Sequence, residues 1–189
     1  IAVFKDGAVR HSAVIPVGSS SITNDIAVML RISIEEAEEI KIKYASAKSS
    51  LSSQKLEFEI PSVEEKQMIS ENELSQYVEA RMEEIFQLSL NEIKRADIDN
   101  NLTYGTVLTG GGAQLRNIVT LANDLLKMPV RLGKPINYLI GNKDFADEPV
   151  HSTTLGLLLW PLYSNEQKHI QQTSLSFLDN LKNIFKEFF

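Results

Sequence analysis

Thr106-Val107-Leu108-Thr109-Gly110-Gly111-Gly112-Ala113-Gln114-Leu115 is the stretch on which the fold turns. Val107 and Leu108 are apolar, as an interior strand requires, and Val107 is β-branched. Three consecutive glycines cannot prolong that strand without losing side-chain packing. They suit a sharp turn whose backbone leaves the usual φ range and lets a ligand come close. From Gln114 onward apolar residues recur at helical spacing: Leu115, Ile118, Val119, Ala122, Leu125 and Leu126. A buried strand, a glycine turn and a helix in that order present N–H groups and a positive dipole end, a site for an anion or a nucleotide. The turn is neither G-x-x-x-x-G-K-S/T nor G-x-G-x-x-G. On these residues alone, a tight turn of an α/β fold with no ligand reads equally well.

Toward the C-terminus, residues 129–132 form a short strand that Gly133-Lys134-Pro135 breaks. The β–turn–α–β order predicts parallel pairing. Residues 137–147 read as a loop. Residues 151–160 read as a buried helix with small residues at its start, ended near Trp160 by Pro161. Residues 164–174 are polar and read as a flexible linker. In the last segment Phe177, Leu178, Leu181, Ile184, Phe185 and Phe188 fall at i, i+1, i+4, i+7, i+8 and i+11, one continuous apolar stripe. A terminal amphipathic helix behind a polar linker suits a membrane interface. Burying such side chains gives roughly 1.5–3 kcal/mol each, so partial insertion of all of them exceeds the cost of ordering the helix. Docking on its own domain or on a partner is the other reading.

Toward the N-terminus, residues 97–101 read as a polar linker after the longest helix, about 71–96. Ser70 and Glu73 form a capping box at its start. Leu74, Tyr77, Val78, Arg81, Ile85, Leu88 and Ile93 lie near one face, and Glu79, Glu83, Glu84 and Glu92 read as a solvated acidic side. Residues 55–60 alternate as a half-buried strand, and 66–69 return as a second one. Residues 48–53 are a serine-rich loop. Ser33 and Glu36 make another capping box, opening a helix with Ile34, Ala37, Ile40 and Tyr44 inward. Glu38 and Lys41, three apart, share one side of that helix. They read either as a solvated ion pair, contributing roughly 0.2–0.5 kcal/mol, or as ligand contacts. Thr23 or Asn24 can cap the preceding helix, which carries Ile26, Ala27, Met29 and Leu30. At the start, Asp6-Gly7 between two apolar runs predicts a β-hairpin.

Composition narrows the class. The chain has 189 residues, 19 Lys and Arg against 25 Asp and Glu, and a net charge of −6, which argues against nucleic acid as a partner. It has no Cys, hence no disulfide framework and no thiolate metal site or nucleophile. His11, His151 and His169 are too widely spaced to suggest a metal set. No run approaches the roughly 20 apolar residues of a membrane span, and no signal peptide is visible. The chain opens on Ile1 within a strand pattern, so we expect a piece of a longer chain.

The wording Val-Leu-Thr-Gly-Gly-Gly-Ala-Gln-Leu resembles the adenosine motif of the actin-like ATPase superfamily. Three further stretches resemble the FtsA family of bacterial cell-division proteins within it. They are Val14-Ile15-Pro16 with Ile22-Thr23-Asn24-Asp25-Ile26-Ala27, then Ala37-Glu38-Glu39-Ile40-Lys41, and Glu148-Pro149-Val150 with Ser152-Thr153-Thr154-Leu155-Gly156. The likeness runs over nearly the whole chain in the family's order. It implies an α/β fold, half of an actin-like (ribonuclease H-like) ATPase domain with an inserted small α+β subdomain and a C-terminal amphipathic helix. The implied boundaries are 1–22 with 99–163 for the nucleotide-binding subdomain and 23–98 for the insert. Residues 164–173 form the linker and 174–189 the membrane helix. The family's phosphate-binding loop, an Asp-Gly-Gly-Gly-Thr-like sequence, is not in this chain.

The resemblance also implies ATP as cofactor, held here by Gly110, Gly111, Gly112, Gln114, Glu38 and Lys41, with Mg2+ supplied through the absent half. It implies no catalytic residue in this chain and at most weak ATPase activity. The implied partners are the C-terminal tail of the tubulin-like FtsZ, further copies in a filament, other divisome proteins, and membrane lipid through Phe177, Leu178, Leu181, Ile184, Phe185 and Phe188. Arg81 is the candidate for the acidic FtsZ tail, because a guanidinium pairs well with carboxylates. The implied place is the cytoplasmic face of the inner membrane at the division site. The tail departs from the usual basic pattern: Lys182 and Lys186 are balanced by Asp179 and Glu187, so apolar insertion must supply most of its binding. The alternatives are a small-molecule kinase or ATPase of the same fold and an MreB-like filament protein. The tail argues against the kinase, and Ile-Thr-Asn-Asp-Ile-Ala argues against MreB.

Overall fold

The computed structural model describes residues 1–61, 67–96, 102, 104–135 and 148–169. Strands β1 (Ala2–Lys5) and β2 (Ala8–Ser12) form the expected antiparallel hairpin, with Asp6 and Gly7 both at positive φ in the turn. Two positive φ values in a two-residue loop match the twist of the flanking strands.

Helix α1 (Ser19–Leu30) starts earlier than the cap reading of Thr23 or Asn24 placed it. Gly18 stands at the N-cap without a side-chain bond, and Ser19–Ser21 make the first turn. Thr23 is therefore no cap but a buried residue inside the helix, on the face of Ile22, Ile26, Ala27 and Leu30. Helix α2 (Ile34–Tyr44) has the expected capping box: Ser33 accepts from the Glu36 N–H, and Glu36 accepts from the Ser33 N–H. Its inward residues are Ala37, Ile40 and Lys41, while Ile34 is exposed at the first turn.

Strands β3 (Glu57–Glu59) and β4 (Met68–Ser70) pair antiparallel, burying Phe58 and Ile69. Tyr44 stacks on Phe58 with ring centroids 3.9 Å apart. Ser70 caps helix α3 (Glu71–Arg95) by accepting from the Glu73 N–H. The buried face of α3 is Leu74, Ser75, Val78, Met82 and Phe86, together with Glu71. Leu74 and Val78 are as expected. Met82 and Phe86 take the inward places, leaving Tyr77 exposed and Arg81 in ion pairs. The acidic side is partly engaged: Glu79 accepts from the Ser49 N–H and hydroxyl, and Glu92 binds His11 Nε2 at 3.0 Å.

Strand β5 (Thr106–Leu108) and β6 (Val130–Leu132) pair in parallel across helix α4 (Ile118–Leu126), as the order of elements predicts. The core joins α1, α2, α3, α4 and the β3–β4 ribbon, with Ile22, Ile26, Leu74 and Val78 nearly inaccessible. Val107 is exposed, so β5 is not the doubly buried strand its composition predicted. The β5–β6 sheet has two strands among the described residues, and α4 packs beside it.

Helix α5 (Ser152–His169) likewise departs from expectation. Leu155 is buried, but Leu157, Leu158 and Trp160 are exposed. Pro161 lies inside α5, which runs on through residues expected to be the start of the linker. Proline's fixed φ is helical, and a helix passes it by giving up one amide donor and bending. Among the described residues no helix is long and apolar enough to cross a membrane. The loop at 137–147, the polar stretch at 97–101, the rest of the linker and the whole amphipathic tail lie outside the described residues.

Candidate functional site

Strand β5 delivers the chain to Thr109, whose hydroxyl donates to the Gly133 carbonyl at 3.0 Å and lies 2.5 Å from the Ser152 hydroxyl. Gly110 follows at φ 93°, ψ 173°, and its N–H donates to the Pro149 carbonyl at 3.0 Å. The φ requires glycine here, and a side chain would meet nothing within 4 Å. The outer side of the turn is open.

Residues Gly111–Gln114 then make one 3-10 turn, closed by the Ala113 N–H on the Gly110 carbonyl at 3.1 Å. Gln114 is exposed, and its side chain makes no hydrogen bond among the described residues. Helix α4 begins at Ile118, after Asn117 at φ 61°. The expectation of a helix running directly from Gln114 is thus corrected. The polar backbone at the turn belongs to a 3-10 segment, so the dipole of α4 acts from farther away than the sequence suggested.

Gly112 packs against α1. A Cβ there would stand 3.0 Å from Ser19 Cβ. The Ser19 carbonyl in turn accepts from Lys41 Nζ at 3.3 Å. Lys41 also donates to Thr23 Oγ1 at 2.8 Å and to Glu38 Oε2 at 2.6 Å. Thr23 Oγ1 lies 2.5 Å from the same carboxylate oxygen. The glycine turn, the first turn of α1, and the Glu38–Lys41 side of α2 therefore meet.

The pair is not the solvated one its spacing suggested: Lys41 is 8% exposed, Thr23 is 3% exposed, and Glu38 is half-buried. A buried ammonium needs a partner for each proton, and Lys41 has three. Burial pushes the Glu38 carboxyl upward, but the hydrogen bonds from Lys41 and Thr23 and the Lys41 charge outweigh it, leaving the carboxyl below its ordinary range. Glu38 is thus held as a carboxylate at neutral pH.

Ser19 and Thr23 were not singled out as ligand-site residues from the sequence. The signal was the short connection from Arg31 to Ser33, which makes α1 and α2 packed neighbours. A hydroxyl on the inner face of α1 then meets the polar residues of α2. Arg81 serves elsewhere. Its Nε and Nη2 hold Asp25 at 2.6 and 2.9 Å, and Nη1 pairs with Glu84. The guanidinium thereby clamps α3 to α1, and Asp25 first and Glu84 after it raise its pKa further. Among the described residues no cluster of three carboxylate or imidazole groups could hold a metal.

The arrangement is that of an actin-like fold. The MreB5 structure from Spiroplasma citri with AMPPNP superposes with a TM-score of 0.68 at 17% identity, over 90% of this chain and 51% of that one. The sequence profile of the family described as cell division protein FtsA matches residues 1–156. The cell division protein FtsA of Pseudomonas aeruginosa is 40% identical over 164 residues, covering 86% of this chain and 39% of that protein. That of Bacillus subtilis is 38% identical over 160 residues, covering 84% and 35%. The chain belongs to the FtsA family of cell-division proteins, and it spans about two fifths of the length of the curated relatives it matches.

Proposed function

We propose that this chain is part of an ATP-binding, filament-forming adaptor that tethers the FtsZ ring to the cytoplasmic membrane at the division septum. The observation that carries the nucleotide reading is the meeting of the open glycine turn with the Thr23–Glu38–Lys41 cluster. The residue types fit a nucleoside. A carboxylate accepts from ribose hydroxyls, an ammonium donates to polar ring edges, and a turn without side chains admits a base or sugar. Gly110, Gly111, Gly112, Gln114, Glu38 and Lys41 would hold it. Mg2+ would come with the nucleotide phosphates, held by groups outside this chain. The similar MreB5 of Spiroplasma citri binds AMPPNP in its crystal structure, which supports a nucleotide here.

Lys41→Met in the full-length protein keeps the buried aliphatic stem and removes the charge. ATP affinity measured by calorimetry is expected to fall at least tenfold, since a hydrogen bond to a charged group contributes about 1.5–3 kcal/mol. Unchanged affinity would remove Lys41 from the site.

The adaptor reading rests on the tail and on α3. Phe177, Leu178, Leu181, Ile184, Phe185 and Phe188 are the proposed lipid contacts. Deleting residues 174–189 is expected to lower co-sedimentation with anionic vesicles at least tenfold, as loss of several apolar anchors implies. Binding by the intact protein should change little between low and physiological salt, because the tail charges cancel. A steep loss with salt, or binding that survives the deletion, would overturn the reading. For the acidic FtsZ tail, Arg81 is the proposed contact, and the incoming carboxylates would compete with Asp25 and Glu84 for the guanidinium. Self-association and the company of other divisome proteins complete the proposal.

A further inference from the structure

Glu38 and Lys41 form an ion pair, yet both also converge on one hydroxyl. Thr23 Oγ1 accepts from Lys41 Nζ at 2.8 Å and sits 2.5 Å from Glu38 Oε2. Its single proton has two possible acceptors, the Ser19 carbonyl at 3.2 Å and that carboxylate oxygen. The shorter and charge-assisted bond to Glu38 takes it. Every hydrogen bond of the Glu38 carboxylate uses Oε2. Oε1 has no partner among the described residues, and the Glu38 side chain is 44% exposed. The carboxylate is therefore fastened by one oxygen, with the other free to accept.

We propose that Thr23 is a positioning residue of the nucleotide site: its hydroxyl fastens Oε2 and orients Lys41, so that Oε1 faces outward as the acceptor for a vicinal diol of the ligand's sugar. This rests on the nucleotide reading above. Without the hydroxyl, Lys41 Nζ keeps two of its three acceptors and the carboxylate is free to rotate about its terminal torsion, which has broad wells. The geometry that favours a sugar diol is then lost, although neither charge has been removed.

The test compares full-length wild type, Thr23→Val, Thr23→Ser and Lys41→Met for binding of ATP and of 2′,3′-dideoxy-ATP. Thr23→Val is expected to weaken ATP about tenfold, the low end for loss of a hydrogen bond to a charged group. Thr23→Ser, which keeps the oxygen, should stay within about twofold by the same principle. The preference of wild type for ATP over the dideoxy analogue should collapse in Thr23→Val and persist in Thr23→Ser. A loss of packing alone would weaken both ligands equally and leave that ratio untouched. Should valine prevent folding, Thr23→Ala set against Thr23→Ser repeats the comparison with and without the oxygen.

Wild-type affinity in Thr23→Val, an unchanged ratio, or equal losses in the serine and hydroxyl-free variants would overturn the inference. If wild type itself binds no ATP, the nucleotide reading falls; if Lys41→Met binds ATP normally, Lys41 leaves the site. If Lys41→Met loses ATP and Thr23→Val does not, only the role of Thr23 falls.

Discussion

Gly105→Ala is expected to destabilise the protein by about 2–5 kcal/mol, through two additive terms. Gly105 stands at φ +72°, where a side chain costs about 1–2 kcal/mol. A Cβ would also lie 2.0 Å from the Pro129 carbonyl oxygen, which accepts the Thr106 N–H at 2.8 Å. That oxygen cannot swing aside without breaking the bond that opens the β5–β6 ladder. Relief by moving the backbone costs roughly 1–3 kcal/mol more, as overpacking does, and shifts the strand that delivers the glycine turn. Gly7→Ala is the control. Gly7 has a similar φ of +75° but open space around its missing Cβ, so it should show the backbone term alone, about 1–2 kcal/mol. Denaturation midpoints of the two variants measure the difference. Equal losses would mean that the Pro129 contact relaxes freely.

The contrast shows what the sequence could and could not convey. Asp6-Gly7 announced its hairpin, because a two-residue turn between apolar runs is decided locally. The two serine caps at Ser33 and Ser70 and the parallel β5–α4–β6 unit were legible for the same reason. Gly105 was not: besides its positive φ, its need for glycine comes from Pro129, far along the chain. The candidate site divides in the same way. The glycine turn and the Glu38–Lys41 pair were visible as local patterns. That Lys41 is buried was not, since a lysine on an amphipathic helix ordinarily belongs to the wet face. Thr23 read as a cap because a hydroxyl near a helix start has that use locally. Its use here depends on α2 lying alongside. On α3 the apolar set admitted two neighbouring faces, and Met82 with Phe86 prevailed over Tyr77 with Arg81 once α1 offered Asp25 as a partner for the arginine.

Arg116→Ala is expected to cost about 2–3 kcal/mol, through a carboxylate left without its counter-charge. Glu71, at the first turn of α3, is 3% exposed. One of its oxygens accepts from Arg116 Nη2, and the other from the Ser53 N–H at 3.2 Å. The same guanidinium donates to the Tyr44 and Ala45 carbonyls at the end of α2, where a cation also meets the negative end of the helix dipole. Around it the Ala47 N–H donates to the Arg116 carbonyl at 2.8 Å, and Asn117 Nδ2 donates to Ser46 Oγ at 2.9 Å. The loss falls short of that for a fully buried pair because the Arg116 side chain is 49% exposed and water can partly replace it. A double-mutant cycle with Glu71→Gln isolates the charge. With a neutral amide at position 71, Arg116→Ala should cost at least about 1 kcal/mol less than in wild type, as contacting pairs do. Strict additivity would mean that Arg116 acts only through the α2 carbonyls. In either outcome the position matters for the site. Arg116 follows the end of the 3-10 turn at Gln114 by two residues and grips the end of the helix that carries Glu38 and Lys41. The turn and its polar partners thus keep their spacing through a residue that touches neither.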